Sequence, residues 1–109
     1  MKKLLVLGIA MMAVTALSAR AADGKAMFDK DCAMCHGQDG KGQTRIGQKL
    51  GVKDFTDAKV QSDLTDAAAT KDIKEGVKDA DGKAVMKAFS NLSDDDVKGL
   101  VAYIRTFKK

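Results

Sequence analysis

The chain has 109 residues, a formal net charge of +4, an aromatic share of only 5%, and neither Trp nor Pro. This length allows one small domain and excludes a large hydrophobic core or several domains. Lys and Asp alternate along much of the chain, so no concentrated basic surface is expected, which argues against nucleic-acid binding.

The first residues have the layout of a secretory signal peptide. Two lysines precede an uncharged apolar run from Leu4 to Leu17, and the small-x-small triplet Ala19-Arg20-Ala21 follows it. A membrane anchor is the alternative, but the run is shorter than the roughly 18 to 20 residues that a spanning helix needs. We therefore predict that residues 1–21 are cleaved and that residues 22–109 form a single exported domain.

The predicted cleavage removes most of the net charge. The leader carries three bases and no acid, so the 19 Lys and Arg residues become 16, against 15 acids, and the net charge falls to +1. The domain that remains can bury only a modest core. Domains near this size often depend on a disulfide, a metal or a bound cofactor for stability.

The first half of the domain contains two predicted short helices separated by a loop. Asp23 is in a capping position, and residues 23–31 show a partial helical face that leads into the two cysteines. From Gly37 to Gly51 glycines recur among polar residues with no sustained period, which predicts an extended loop. Thr56 is then expected to cap a short helix that runs to about Gln61.

The second half contains two further predicted helices. One is rich in Ala, begins at Thr65 or Asp66, and ends at Gly76. The last helix is the clearest, because Ser93 and Asp96 form a capping-box-like pair. Its apolar positions repeat at i, i+3, i+4 and i+7, and they are Val97, Leu100, Val101 and Ile104. Since no segment alternates as a strand does, the predicted fold class is all-α, with three to five short helices and long loops.

The stretch Cys32-Ala33-Met34-Cys35-His36 contains both cysteines and the only histidine of the chain. A structural disulfide would close a very small loop and leave the histidine unexplained. A thioredoxin-like pair needs a βαβ setting, and a structural zinc site needs a second pair of ligands. Covalent haem attachment uses all three residues, because Cys32 and Cys35 form thioethers with the haem vinyl groups while His36 coordinates the iron. We therefore predict one covalently bound haem c with its iron.

Over nearly all of residues 22–109 the chain resembles a class I c-type cytochrome. Gly24 and Phe28 stand four apart before the haem motif, and Leu100 and Tyr103 stand three apart in the last helix, as in that family. The resemblance implies the cytochrome c fold around one haem. It also implies that the first and last helices cross closely at Gly24, with Phe28 packed against Leu100 and Tyr103.

A six-coordinate haem iron needs a second axial ligand, for which methionine is the leading candidate. Met34 lies between the two cysteines and is tethered too tightly to reach the opposite haem face, and Met27 belongs to the helix on the His36 side. Met86 lies 50 residues after His36, in the predicted loop of residues 77–91. Its segment resembles the family's segment from the axial methionine into the last helix. We therefore predict Met86 as the sixth ligand, with a core-filling methionine as the alternative.

The chain departs from the family pattern around both axial ligands. Lys87 stands where many family members have Pro directly after the axial methionine. Many members also use a loop proline carbonyl to accept the hydrogen bond of the axial histidine, and here that carbonyl is expected near Ile46 or Gly47. The apolar residues expected to line the haem, which would equally suit any small core, are Ile46, Leu50, Val52, Phe55, Ile73 and Val77.

Closing both axial positions keeps substrates from the iron, so the predicted function is one-electron transfer and not catalysis. We expect a soluble, periplasmic, monomeric electron carrier of a respiratory chain. Its redox partner proteins would be a membrane oxidoreductase, a dehydrogenase, or a terminal oxidase or reductase. Nucleic-acid binding and stable membrane insertion after cleavage are not expected. The alternative is a haem-based peroxidase-like enzyme or gas sensor, which would need a labile sixth ligand.

Overall fold

The structure is a computed structural model that describes residues 23–109. The predicted leader, residues 1–21, lies outside the described residues. Within them, none of the helices combines the length and the apolar character needed to cross a bilayer.

The described chain is mostly helical, with one small two-stranded sheet. Its elements in chain order are α1 (described over residues 23–31), α2 (Ala33–His36), α3 (Arg45–Leu50), α4 (Ala58–Asp63), α5 (Asp66–Glu75), β1 (Val77–Lys78), β2 (Ala84–Met86) and α6 (Asp94–Arg105). The predicted helical class is thus confirmed, and the short sheet is an addition to it.

Helices α1 and α6 cross with their backbones in close contact. A Cβ atom at Gly24 would overlap the backbone carbonyl of Gly99 and would lie 3.1 Å from the Cβ of Tyr103. Phe28 is fully buried beside this crossing, and its ring packs edge-on against Tyr103 at 5.3 Å between centroids. Leu100 belongs to the same buried cluster. The crossing implied by the family resemblance is therefore present.

Helix α6 begins at the residue that its sequence predicts. The Ser93 hydroxyl accepts a hydrogen bond from the Asp96 amide, and the Asp96 carboxylate accepts one from the Ser93 amide, so the capping box is complete. Helix α5 is capped in a similar way by Thr65. Both starts depend on contacts within one helical turn, which explains why the sequence alone predicts them.

The sequence predicts an extended loop from Gly37 to Gly51, but the segment is not extended throughout. Residues Arg45–Leu50 form helix α3, where Thr44 caps the N-terminus through its hydroxyl and Gly51 ends the helix at φ +70°. Its faces are mostly exposed, so it lacks the apolar period from which a helix is recognised. The sequence features that could have revealed this helix are its capping residues, Thr44 and Gly51.

The cap of α4 also differs from the prediction. Asp57 accepts the hydrogen bond of the Lys59 amide and is the N-cap residue, in place of Thr56. Thr56 instead donates its hydroxyl hydrogen to the Asp54 carboxylate over 2.6 Å, and its amide binds the same carboxylate oxygen. The preceding aspartate competes successfully for Thr56 because its acceptor is charged.

The predicted loop of residues 77–91 contains the small antiparallel sheet. Val77 pairs with Met86 and Lys78 pairs with Ala84, with a register irregularity between the two pairs. Strands of two and three residues are too short to show alternation, which is why the sequence does not reveal them. The sheet places Met86 at the end of β2.

The buried apolar cluster lies between α1, α5 and α6, with Phe55 and Phe89 contributed by the connecting segments. Its members are Phe28, Phe55, Ala69, Ile73, Phe89, Val97, Leu100, Val101 and Ile104. Phe89 is attached to this core by its amide, which donates to the Ile73 carbonyl over 2.9 Å. The segment after Met86 is thereby anchored on α5.

Candidate haem site

The Cys32–His36 motif forms a single compact helical turn. Cys32 is the N-cap residue of α2, and its carbonyl accepts hydrogen bonds from the amides of Cys35 and His36 at 3.2 and 3.0 Å. The two cysteines are half-buried free thiols and do not form the alternative disulfide. One turn of backbone therefore presents both sulfur atoms and the imidazole together.

A cavity of about 330 Å³ adjoins this turn. Its lining includes all three motif residues Cys32, Cys35 and His36, together with Val85, Met86 and Phe89 of the downstream segment. A methionine 50 residues downstream thus faces the same space as the histidine. The role of Met86 as the sixth ligand stays a prediction from the sequence.

A second, mostly apolar cavity of about 350 Å³ lies between α4, α5 and the sheet. Val85 and Met86 line this cavity as well as the first one, so the two spaces border on the same short strand. Five of the predicted lining residues are present in its wall: Leu50, Val52, Phe55, Ile73 and Val77. Ile46 is the exception, because it lies on the outer face of α3 with 40% of its surface exposed.

The three methionines of the domain occupy different environments. Met34 borders the smaller cavity from within the motif and is 73% exposed. Met27 packs against the buried cluster from α1. Met86 is the one methionine of the described residues that lines both cavities.

Lys87, which stands where family members often have Pro, lies against the side of the smaller cavity. Its ammonium group is 5.0 Å from the centroid of the Phe89 ring. A cation over an aromatic face is attracted by the ring electrons. This contact and the hydrogen bond from the Phe89 amide to the Ile73 carbonyl of α5 together hold the backbone that follows Met86.

Burial sets the protonation of the motif side chains. Desolvation lowers the pKa of the His36 imidazole below its ordinary value, so the ring is neutral at pH 7, which is the form that coordinates a metal. Desolvation, with a smaller contribution from Asp31, raises the pKa of the Cys32 thiol to about 11. At neutral pH Cys32 is therefore an uncharged thiol.

The predicted carbonyl partner of His36 is not found, so that expectation was wrong. The His36 Nδ1 atom is buried and has no hydrogen-bond partner among the described residues. The Gly47 carbonyl instead accepts the Val52 amide at 3.0 Å, because the helix that replaces the expected loop uses its carbonyls in its own cap. One ring face of His36 stacks on Phe55, with centroids 4.7 Å apart and an interplanar angle of 20°.

The α2 turn is held against α3 by a hydroxyl that the sequence analysis did not single out. Thr44 donates to the Cys35 carbonyl at 2.8 Å and accepts from the Gly47 amide at 2.9 Å. A Cβ atom at Gly47 would overlap the Cys35 carbonyl. The glycine is therefore required at this position by the closeness of the haem motif.

Comparisons with known proteins agree with this geometry. Residues 21–108 match the cytochrome c family. Cytochrome c-554(547) of Halothiobacillus neapolitanus is 32% identical over 93 residues, which cover 81% of this chain and 97% of that relative. Among solved structures, the c-type cytochrome KustC0563 is 33% identical with a TM-score of 0.67, covering 79% of this chain and 98% of its own. A point mutant of that cytochrome is 34% identical with a TM-score of 0.65, covering 79% of this chain and 99% of its own.

The fold and the Cys32–His36 motif define a c-type cytochrome. The chain belongs to the cytochrome c family, as a monohaem protein of class I that carries covalently bound haem c with its iron. Electron transfer to and from redox partner proteins is the role of such a carrier. The two adjoining cavities, the two free thiols and the neutral imidazole fit a covalently attached haem.

Proposed function

We propose that the protein is an exported one-electron carrier whose haem is joined to Cys32 and Cys35 and whose iron is coordinated by His36 and Met86. The observation that carries this proposal is the position of Met86 in the wall of the cavity that also contains the complete motif. In this cavity the His36 imidazole and the Met86 thioether would be the two axial ligands of the iron.

The residues around the haem define what the site does. Bound haem supplies a single iron that changes between the ferric and ferrous states. Coordination by His36 and Met86 would leave no open position for a substrate, and a thioether ligand would favour the ferrous state relative to a second histidine. The apolar wall that includes Phe55 and Ile73 excludes water and favours the state of lower charge. These residues therefore support electron transfer without catalysis at the iron.

Export is the second part of the proposal. Residues 1–21 have the charged, apolar and small-residue regions of a leader, and c-type haem is attached outside the cytoplasm. We propose a periplasmic carrier of a respiratory chain that meets membrane oxidoreductases, dehydrogenases or terminal oxidases and reductases. A net charge of +1 after cleavage favours weak, transient encounters with these partners.

Replacement of the predicted sixth ligand tests the ligation. In the Met86→Ala holoprotein the weak near-infrared band of methionine-ligated ferric haem should disappear. Met34, the other methionine beside the smaller cavity, is tethered between the two cysteines and cannot take its place. The matched control is Met34→Ala, which removes an exposed methionine within the motif and should leave the band intact. Persistence of the band in the Met86 variant would refute the assignment.

A peroxidase-like enzyme or gas sensor is the alternative, and the half-exposed position of Met86 beside a lysine is the observation that favours it. Carbon monoxide separates the two functions. The reduced carrier should not bind it at neutral pH, since Met86 blocks the iron. Prompt and complete binding by the unmodified protein would favour the alternative.

A further inference from the structure

The His36 imidazole lacks the hydrogen bond that usually orients a metal-bound histidine. Coordination through Nε2 leaves the ring proton on Nδ1, and metal-bound histidines nearly always donate that proton to a carboxylate, a carbonyl or water. Here Nδ1 is buried, and it forms no hydrogen bond with any described residue. The nearby Cys35 carbonyl is already bound by the Thr44 hydroxyl at 2.8 Å.

Aromatic rings contact His36 in place of an acceptor. Phe55 stacks on the imidazole with centroids 4.7 Å apart and planes within 20° of each other. Phe28 approaches at 6.3 Å and 40°, a more distant and tilted arrangement. Phe55 is therefore the side chain whose plane matches that of the imidazole.

Phe55 is itself fixed by its backbone and by its burial. Its amide donates to the Gly40 carbonyl at 2.8 Å, and its carbonyl accepts the Gln61 side-chain amide at 2.7 Å. The residue is 8% exposed and lines the larger cavity. The backbone of Phe55 is therefore held on both sides of its Cα, and its side chain is buried. A phenyl ring fixed in this way can define the plane of the His36 imidazole stacked on it.

Gln61 connects this arrangement to the last helix. The same side-chain nitrogen donates to the Ile104 carbonyl at 2.9 Å, and the side-chain oxygen accepts from Arg105 at 2.9 Å. The position of Phe55 is thus fixed relative to α6, a helix with five buried residues.

We propose that Phe55 is a positioning residue, whose stacked ring sets the plane of the axial His36 imidazole in place of a hydrogen bond from Nδ1. This inference rests on the proposed role of His36 as an iron ligand. It assigns to Phe55 a function beyond filling the core.

The orientation of the imidazole plane has a direct spectroscopic readout. In low-spin ferric haem the axial ligand planes determine how unpaired spin is distributed over the porphyrin. The order and spread of the four haem methyl proton shifts report that distribution. A residue with only a packing role would change stability and leave this pattern intact.

The test compares three holoprotein variants by proton NMR of the ferric state. Phe55→Leu should change the order or the spread of the methyl shifts, because the imidazole loses its stacking partner. Phe55→Tyr retains the ring face and should restore the wild-type pattern. Phe107→Leu is the matched control, since Phe107 packs on Phe28 and Tyr103 and lines neither cavity. It should lower the melting temperature without altering the methyl shifts.

A Phe55→Leu pattern identical to wild type would overturn the proposal, as would a Phe107→Leu variant that shifts the methyl signals equally. The unmodified protein gives a second measurement if Phe55→Leu does not retain haem. In a solution structure of the holoprotein, the His36 imidazole plane should lie within about 20° of the Phe55 ring. Detection of a hydrogen bond from Nδ1 to a backbone carbonyl would contradict the inference.

The same spectra distinguish this inference from the proposed ligation. If His36 were not an iron ligand, the unmodified protein would lack the strongly shifted ring protons of a coordinated histidine. If His36 is the ligand and Phe55 does not orient it, those signals will be present and the Phe55→Leu pattern will be unchanged.

Discussion

Gln61 is the only polar side chain that is buried within the described residues, with 6% of its surface exposed. A buried amide is tolerated when its donors and acceptors are paired. Gln61 meets this condition through the carbonyls of Phe55 and Ile104 and through the Arg105 guanidinium. These bonds join α4 and the segment before it to α6, and Ile104 lies 43 residues from Gln61 along the chain.

Replacement of this residue should destabilise the fold. In Gln61→Leu the Phe55 carbonyl loses its partner while it remains inside the protein, and an unpaired buried group costs about 1 to 3 kcal/mol. We expect the free energy of unfolding of the holoprotein to fall by that amount in denaturant titrations. Gln48→Leu is the control, because Gln48 is exposed and its side chain bonds only to the Gln43 carbonyl. An equal effect of both substitutions would show that the buried bonds are not the cause.

At the scale of elements, the crossing of α1 and α6 depends on two glycines. Gly24 and Gly99 face each other so closely that neither backbone can move nearer, and Phe28 and Tyr103 pack directly beside the contact. Because α1 leads directly into the haem motif, the position of this crossing also sets where Cys32 lies relative to α6. The helix pair is therefore a structural support of the site.

A methyl group at this crossing should force the two helices apart. Gly24→Ala places a Cβ atom against the Gly99 carbonyl, and overpacking of this kind costs about 1 to 3 kcal/mol. We expect a lower melting temperature of the holoprotein, measured by the loss of the far-ultraviolet helical signal. Lys25→Ala changes the neighbouring exposed residue and removes only its surface ion pair with Asp29, so it should leave the melting temperature nearly unchanged. A neutral Gly24→Ala substitution would contradict the close crossing.

At the scale of the whole molecule, the haem completes the core. The predicted domain is small, its protein core consists of a single cluster along α5 and α6, and two largely apolar cavities border that cluster. A ligand that binds only the folded chain stabilises it by mass action, and covalent attachment makes that stabilisation permanent. The folded state is thus expected to depend on the haem.

Loss of attachment should accordingly weaken the whole fold. The Cys32→Ala/Cys35→Ala double variant removes both proposed thioether bonds, and mass spectrometry should show no added haem mass. We expect less helical signal by circular dichroism and a broad thermal transition in place of a cooperative one. Met34→Ala alters the same turn at an exposed position and should retain both haem and helix. A cooperative, fully helical double variant would show that the protein core suffices alone.

Predictions from sequence succeeded where the responsible contacts are local or strongly patterned. The Cys32–His36 motif, the capping box of Ser93 and the period of α6 each lie within a few helical turns, and the structure shows all three. Helix α3 and the cap of α4 were missed because their side chains are exposed and their start signals compete with neighbouring ones, as Asp54 does for Thr56.

By itself, the sequence determined the family, the covalent haem and the order of the main helices, since spacing along the chain governs vinyl attachment and helix capping. Only the tertiary structure decided that Met86 ends a short strand in the wall of both cavities, and that Phe55 and not a carbonyl faces the His36 ring. These contacts join residues far apart in the chain. Their geometry follows from how α4, α5 and α6 pack, which no local pattern encodes.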